Sequence, residues 1–352
     1  MTEMQELSDK LHSVLKITEE APTGSPSAYL ADSVDRSDSD ATEDRAQWRE
    51  FDRFMDKQAK ERPYPKYLYR AHVHGHPFPR LPDVFEGDSD SFGSDYHLWC
   101  ENNAVSPILV PIDDPMDIST VEDFFYELSL HLGKTSFNLP PRDDDEQPFR
   151  SSLVSLSGDF CWTTQRICRI GRITNKKKDQ LPGLAIFKSS TIGSSGVRVW
   201  RVEDMLSYLD KRLGKNSVHI SPDLRRWATN ADEFVCWSLV PRDALVAFTP
   251  LPGLIKALDG RKKAFLTKEF VDSNYLGDFR RLPLVHISRR EYADRASEFV
   301  RNIITNVSSL EEAKQLCMHM KEVLSNPYTW GYEVARSVKG LDEAISGLWK
   351  QP

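Results

Sequence analysis

Leu153-Val154-Ser155-Leu156-Ser157 is the stretch on which the fold turns. Its mix of apolar residues and small hydroxyls reads as a short strand, and it leads directly into an apolar-periodic run from Phe160 to Ile170 that reads as a helix. Upstream, Tyr67-Leu68-Tyr69-Arg70-Ala71-His72-Val73 is a second strand, opening just after Pro65. Downstream, Leu184 to Lys188 and Val197 to Trp200 are shorter strands, with a helix from Glu203 to Leu213 after them. Glu233 to Leu239 and Ala244 to Thr249 are two more strands, joined by the Pro241-Arg242-Asp243 turn. Thr120 to Lys134 is a helix with Val121, Phe124, Phe125, Leu128 and Leu132 on its buried side. Ser119 or Thr120 caps it, and Glu122 and Asp123 suit the positive end of its dipole. Short strands with interspersed helices predict an α+β protein.

The two ends differ from this core. Met4, Leu7, Leu11, Val14 and Leu15 recur at helical spacing, so the chain is expected to open with a short amphipathic helix. From Ala21 to Asp44 the sequence is rich in Ser, Asp, Pro and Thr and has too little apolar surface to offset chain entropy. A second helix is expected from Glu43 to Lys60, with Trp48, Phe51, Phe54 and Met55 along one side and a stop at Arg62-Pro63. Beyond Ile287 the pattern is helical. Ala293, Ala296, Phe299, Val300, Ile303, Ile304 and Val307 form one stripe, and Leu310 to Leu324 carries a second that Asn326-Pro327 ends. A last helix is expected over Leu341 to Trp349. These helices suit either an appended bundle or a cover for the sheet.

Composition narrows the class. The chain has 352 residues, 39% of them apolar and 28% charged, with a net charge of −7. A mild acidic excess argues against a general nucleic-acid or membrane-surface binder. The five cysteines are odd in number, widely spaced and free of any CxxC pair, which fits reduced thiols in a cytoplasmic or nuclear compartment. No basic and apolar leader opens the chain, and no run approaches the ~18 apolar residues of a spanning helix. His72-Val73-His74-Gly75-His76 would set three imidazoles on one face of a strand, but Gly75 and Pro77 break the strand and no metal is assigned. Asp143-Asp144-Asp145-Glu146 and Lys176-Lys177-Lys178 read as solvated loops, and Gly193-Ser194-Ser195-Gly196 reads as a turn.

Three separated pieces carry candidate chemistry: Arg70 on the opening strand, Ser155-Leu156-Ser157 at a strand end, and Glu233 opening a later strand. Taken alone, each has a plain structural reading. Arg70 suits an ion pair, Ser-x-Ser a turn or helix cap, and Glu233 a solvated strand edge. Their order resembles the R-S-E arrangement of ADP-ribosyltransferases. Pro65-Lys66-Tyr67-Leu68-Tyr69-Arg70-Ala71, Leu153-Val154-Ser155-Leu156-Ser157 and Ala231-Asp232-Glu233-Phe234-Val235-Cys236-Trp237 are similar to a domain recurring in uncharacterised fungal proteins.

The residue patterns give a short helix over 1–20, a disordered acidic linker over 21–44, a helix packing on the core over 45–63 and a C-terminal helical region over 286–352. The resemblance spans about Tyr64 to Thr249 and implies an ADP-ribosyltransferase-like mixed β core with flanking helices, in a domain expected over 64–285. It also implies NAD as substrate. Glu233 would hold a ribose hydroxyl and stabilise the oxocarbenium-like charge, Arg70 and Tyr69 would bind NAD, and Ser155, with Ser157 assisting, would orient Glu233. Arg70 and Glu233 must then lie within about 15 Å of each other. Ala231 stands where many arginine-modifying members carry a second Glu or Gln, so the activities implied are mono-ADP-ribosyl transfer to another acceptor or NAD hydrolysis. The alternative is a catalytically degenerate interaction module on the same fold. The partners expected are NAD and a protein that the sequence does not identify.

Overall fold

Tyr67, Leu68 and Tyr69 are all buried, as a strand covered on both faces requires. The strand they open lies in the middle of the principal sheet. The computed structural model describes residues 38–73, 92–93, 120–137, 151–174, 182–213, 220–237, 239–256, 263–305, 307, 309–334 and 339–348. The expected N-terminal helix, most of the acidic linker, His74, His76, the Asp143–Glu146 run, the Lys176–Lys178 run and Cys100 lie outside these residues.

The strands are β1 (Tyr67–Val73), β2 (Phe92–Gly93), β3 (Leu153–Ser157), β4 (Pro182–Lys188), β5 (Val199–Arg201), β6 (Glu233–Trp237), β7 (Leu239–Val240), β8 (Leu245–Pro250), β9 (Val285–Ile287) and β10 (Tyr332–Val334). Six of them form one antiparallel sheet in the order β5-β6-β3-β1-β4-β8. β2 pairs with β7, and β9 with β10.

The pairing within the large sheet is uneven. β1 follows β4 over its whole length from Tyr67↔Lys188 to Val73↔Pro182, and β3 follows β6 from Leu153↔Trp237 to Ser157↔Glu233. β1 and β3 meet only at Tyr69↔Ser157. The sheet is therefore two three-stranded halves joined at a narrow seam, and the candidate residues lie beside it.

The helices are α1 (Asp38–Glu61), α2 (Val121–Phe137), α3 (Phe160–Thr174), α4 (Ser189–Ser194), α5 (Val202–Tyr208), α6 (Pro222–Ala231), α7 (Leu251–Ile255), α8 (Lys268–Asp272), α9 (Leu276–Phe279), α10 (Arg289–Ile304), α11 (Leu310–Val323) and α12 (Lys339–Ser346). α1 and α2 bury the apolar positions that their periodicity selects. Trp48, Phe51 and Met55 meet Phe124, Phe125 and Leu128 over Leu153, Trp200, Val235 and Trp237 of the β5-β6-β3 half. α2 is held at its start by a reciprocal cap: the Asp123 amide donates to Thr120 Oγ1 at 3.1 Å, and the Thr120 amide to Asp123 Oδ2 at 3.2 Å. On the other half, Tyr67, Tyr69, Leu184 and Ile186 pack beneath α3, α10 and α11. A third cluster, including Leu68, Val154, Leu156, Ala185, Phe187, Phe234 and Cys236, collects the alternate residues of the same strands. That alternation is the strand period of two made visible.

Several expected boundaries move. α1 starts at Asp38, inside the stretch read as linker, because an acidic, apolar-poor segment also suits a helix N-terminus. The strand expected over Glu233 to Leu239 is two strands on different sheets, β6 and β7. The helix expected from Glu203 to Leu213 keeps α geometry only to Tyr208 and continues as a wider turn over Leu209–Leu213. α6 was not foreseen: it buries only Ala228 and Ala231, too little for an apolar stripe. Its start was nevertheless legible, with Ser221 as cap for the Leu224 amide and Pro222 in the first turn.

The C-terminal helices cover the sheet. Phe299, Ile303, Leu316 and Trp330 share one core with Tyr67, Tyr69, Phe160 and Ile186, so the core does not close at residue 285. Cys161, Cys168, Cys236 and Cys317 are buried free thiols, in keeping with small apolar packing residues.

Candidate functional site

At the seam, residues far apart in sequence converge on Ser155. The Arg70 guanidinium donates through Nη1 to the Ser155 carbonyl at 2.7 Å. The Ser155 hydroxyl donates to Glu233 Oε1, also at 2.7 Å. Thus the arginine, the first serine and the glutamate are one bonded set drawn from β1, β3 and β6. Glu233 is only 4% exposed, which corrects the plain reading of a solvated strand edge. Its Oε2 has no hydrogen-bond partner among the described residues.

The backbone around Glu233 explains how it is held. Asp232 ends α6 in the left-handed region, at φ 41° and ψ 60°, the single non-glycine residue with positive φ among those described. That conformation is costly for a residue with a Cβ and least so for Asp and Asn. It reverses the chain between α6 and β6, so that Glu233 faces Ser157 in register as the first residue of its strand. Asp232 is secured by Arg201, whose Nε lies 3.3 Å from Oδ1, and by the Gly158 amide, which donates to its carbonyl at 2.8 Å. A side chain at 158 would collide here: a Cβ on Gly158 would sit 2.0 Å from Asp232 Oδ2. Gly158→Ala is expected to cost about 1–3 kcal/mol, measured by denaturant unfolding.

The other expected site residues are placed differently. Ser157 is buried, donates to the Ala231 carbonyl and accepts from the Asp159 amide at 3.0 Å, so its hydroxyl ties the α6–β6 reversal to the β3–α3 turn. Tyr69 neighbours Arg70 in sequence, and strand alternation sends the two opposite ways. The Tyr69 ring packs edge-on to Phe160, and its hydroxyl meets His319 Nε2 of α11. The structure brings Arg70, Ser155 and Glu233 together; it does not bring Tyr69 or Ser157 into their network. Ala231 is buried with its carbonyl occupied by Ser157.

Two groups missed by sequence reading complete the surroundings. His131 of α2, 4% exposed, places Nε2 2.7 Å from Ser155 Oγ. Arg166 of α3 is buried with its guanidinium over the Trp227 ring at 5.2 Å, and its charge acts on Glu233. His131 falls on the buried side of the stripe that predicted α2, and its polarity there was the available signal. One turn earlier on α2, Glu127 accepts from the Ser152 amide at 2.6 Å and so anchors the start of β3.

Burial pushes the Glu233 carboxyl from 4.5 up to about 7, against the opposing pull of Ser155, Arg166 and Arg70. Burial likewise lowers Arg70 to about 10, which leaves it charged at neutral pH. The raised carboxyl has a definite consequence for stability. The folded state binds the Glu233 proton more tightly than the unfolded chain, so the contribution of this group to stability is greatest below about pH 4.5 and is lost as pH rises through about 7. Glu233→Gln is therefore expected to be more stable than the parent above about pH 7, by an amount of order 1–3 kcal/mol that shrinks toward about pH 5. Thermal unfolding across this range checks it, and a constant difference at all pH values would contradict it.

Fold and site together define an α+β protein whose split antiparallel sheet carries a partly buried arginine–serine–glutamate set at its seam. No protein-family model, no curated protein and no solved structure matches the chain. Among the described residues no helix is long and apolar enough to cross a membrane.

Proposed function

We propose that this site binds NAD and cleaves its bond to nicotinamide, as an ADP-ribosyltransferase-like domain working as a mono-ADP-ribosyltransferase or an NAD glycohydrolase. The observation that carries the reading is the Ser155 bridge, with Arg70 on its carbonyl and Glu233 on its hydroxyl. Three residues chosen by their order in the sequence lie within one chain of hydrogen bonds.

In this reading the Arg70 fork takes a phosphate or ribose oxygen of NAD. Ser155 orients Glu233, and Oε2, without a hydrogen-bond partner among the described residues, is the atom left to hold a ribose hydroxyl. The bond between the anomeric carbon and nicotinamide breaks, and nicotinamide leaves with the bonding pair. Positive charge then develops on the ribose, where the Glu233 carboxylate stabilises it. Water, or the nucleophile of an acceptor, adds to the anomeric carbon and gives up its proton to solvent. Buried Ala231 offers no second carboxylate to activate an arginine acceptor.

A second reading, the catalytically silent interaction module, draws on the burial of Glu233 and its engagement with Ser155. The two separate on one assay: nicotinamide release from NAD by the purified protein beside Arg70→Lys and Glu233→Gln. Release by the parent and at least about tenfold less from Arg70→Lys, which loses the planar fork, supports the enzyme. A parent that neither releases nicotinamide nor gains thermal stability with NAD supports the silent module.

A further inference from the structure

A hydroxyl has one proton to give and two lone pairs to receive with. Ser155 Oγ makes two close contacts, to Glu233 Oε1 and to His131 Nε2, each 2.7 Å long. An ionised carboxylate only accepts, so with Glu233 charged the single proton of Ser155 belongs to that contact. The other contact can then be a hydrogen bond only if His131 carries its proton on Nε2 and donates.

We infer that His131 is a positioning residue for Glu233: its Nε2–H donates to Ser155 Oγ and thereby commits the serine proton to the glutamate. The part of this that concerns catalysis rests on Glu233 being the carboxylate that acts on NAD. The imidazole is suited to the task because it stays neutral. Burial, reinforced by the nearby Arg70 charge, lowers His131 to about 3. Among the described residues, the charged groups that face Glu233 are Arg70 from β1 and Arg166 from α3, with Asp232 preceding it in the chain and Glu127 one turn before His131 on α2. None of them reaches Ser155 Oγ as a donor; Arg70 holds the carbonyl of that residue. A donor into the hydroxyl also polarises it, which strengthens its own donation to the carboxylate.

The test has two arms. In the parent protein at about pH 8, where Glu233 is ionised, NMR of the imidazole nitrogens should show the His131 proton on Nε2. The Glu233 titration is then followed by carboxyl NMR in His131→Phe, which keeps a ring without a donor, and in His131→Gln, which restores an N–H. His131→Phe should raise the Glu233 pKa by about one unit, a tenfold change in proton affinity, and His131→Gln should bring it back toward the parent. In a Ser155→Ala background His131→Phe should have no such effect.

An unprotonated Nε2 in the parent would overturn the inference, and that reading needs no variant to fold. So would an unchanged Glu233 titration in His131→Phe, or equal shifts in the Phe and Gln variants, which would reduce His131 to packing. If the parent releases nicotinamide, His131→Phe should lower kcat about tenfold and move the pH profile with the Glu233 titration, with KM little changed. A parent with no release, but with protonated Nε2 and the selective shift, would remove the NAD reading alone and leave the positioning role standing.

Discussion

If the site cleaves NAD as proposed, Glu233→Gln is expected to reduce nicotinamide release by about 10²–10³-fold, with little change in the affinity for NAD. The size follows from what the substitution removes. Gln keeps the shape and can still accept from Ser155, so the hydrogen-bonded frame survives. What is lost is the negative charge, whose value is greatest where positive charge develops on the ribose and water is scarce. Glu233 is almost fully buried, so its carboxyl is shielded from bulk solvent. The same burial that would make the charge effective also makes it costly, which is why this variant should be more stable than the parent above about pH 7. Opposite movements of activity and stability are the signature of a group retained for function at a cost to the fold. If the parent is active and Glu233→Gln keeps full activity, Glu233 is not the acting carboxylate. Equal activity and equal stability together would mean that the carboxyl is already protonated at the working pH.

A chain ending after Leu284 should fail to form a cooperatively folded domain. That position lies just before the helical region, whose sequence pattern suits either an appended bundle or a cover for the sheet. The core decides for the cover. Tyr67, Tyr69, Phe160, Leu184 and Ile186 of the sheet half and α3 lie in one cluster with Phe299, Ile303, Leu316, Met320 and Trp330. Each such side chain buried in full is worth about 1.5–3 kcal/mol, and a domain is stable by only about 5–15 kcal/mol, so stripping the cover leaves a deficit. Polar ties go with it. The Tyr69 hydroxyl loses His319, and Cys161 Sγ loses the Thr329 carbonyl at 3.6 Å. Trp330→Ala tests the same point in the whole chain. Its ring packs within 5.3–6.2 Å of Phe160, Phe265, Phe270 and Phe299, so truncation should cost about 3–5 kcal/mol in denaturant unfolding. A soluble fragment of residues 1–284 with a sharp unfolding transition would show instead that the sheet domain stands without its cover.

The strands and the long helices were legible because their signals are local. β1 and β3 have the bounds that alternation and turn residues predict, and the buried sides of α1 and α2 are those their periodicity selects. α6 escaped because it buries two alanines and little else, and the split of β6 from β7 escaped because only pairing partners distinguish one strand from two. The meeting of Arg70, Ser155 and Glu233 was anticipated only through a family resemblance in their order and flanking stretches, and nothing local could say which atoms meet. Tyr69 shows the limit: next to Arg70 in the chain, it is turned by strand alternation into the core.

What the chain determines by itself is therefore the class of fold and the main elements. Local periodicity and turn chemistry are written residue by residue, and each is decided within a few positions. Only the tertiary structure decides that the C-terminal helices cover the sheet, that Glu233 is buried with its carboxyl held near neutrality, and that His131 reaches Ser155. These depend on contacts between segments some 24 to 250 residues apart, and their energies come from desolvation and shared packing, which no short window of sequence contains.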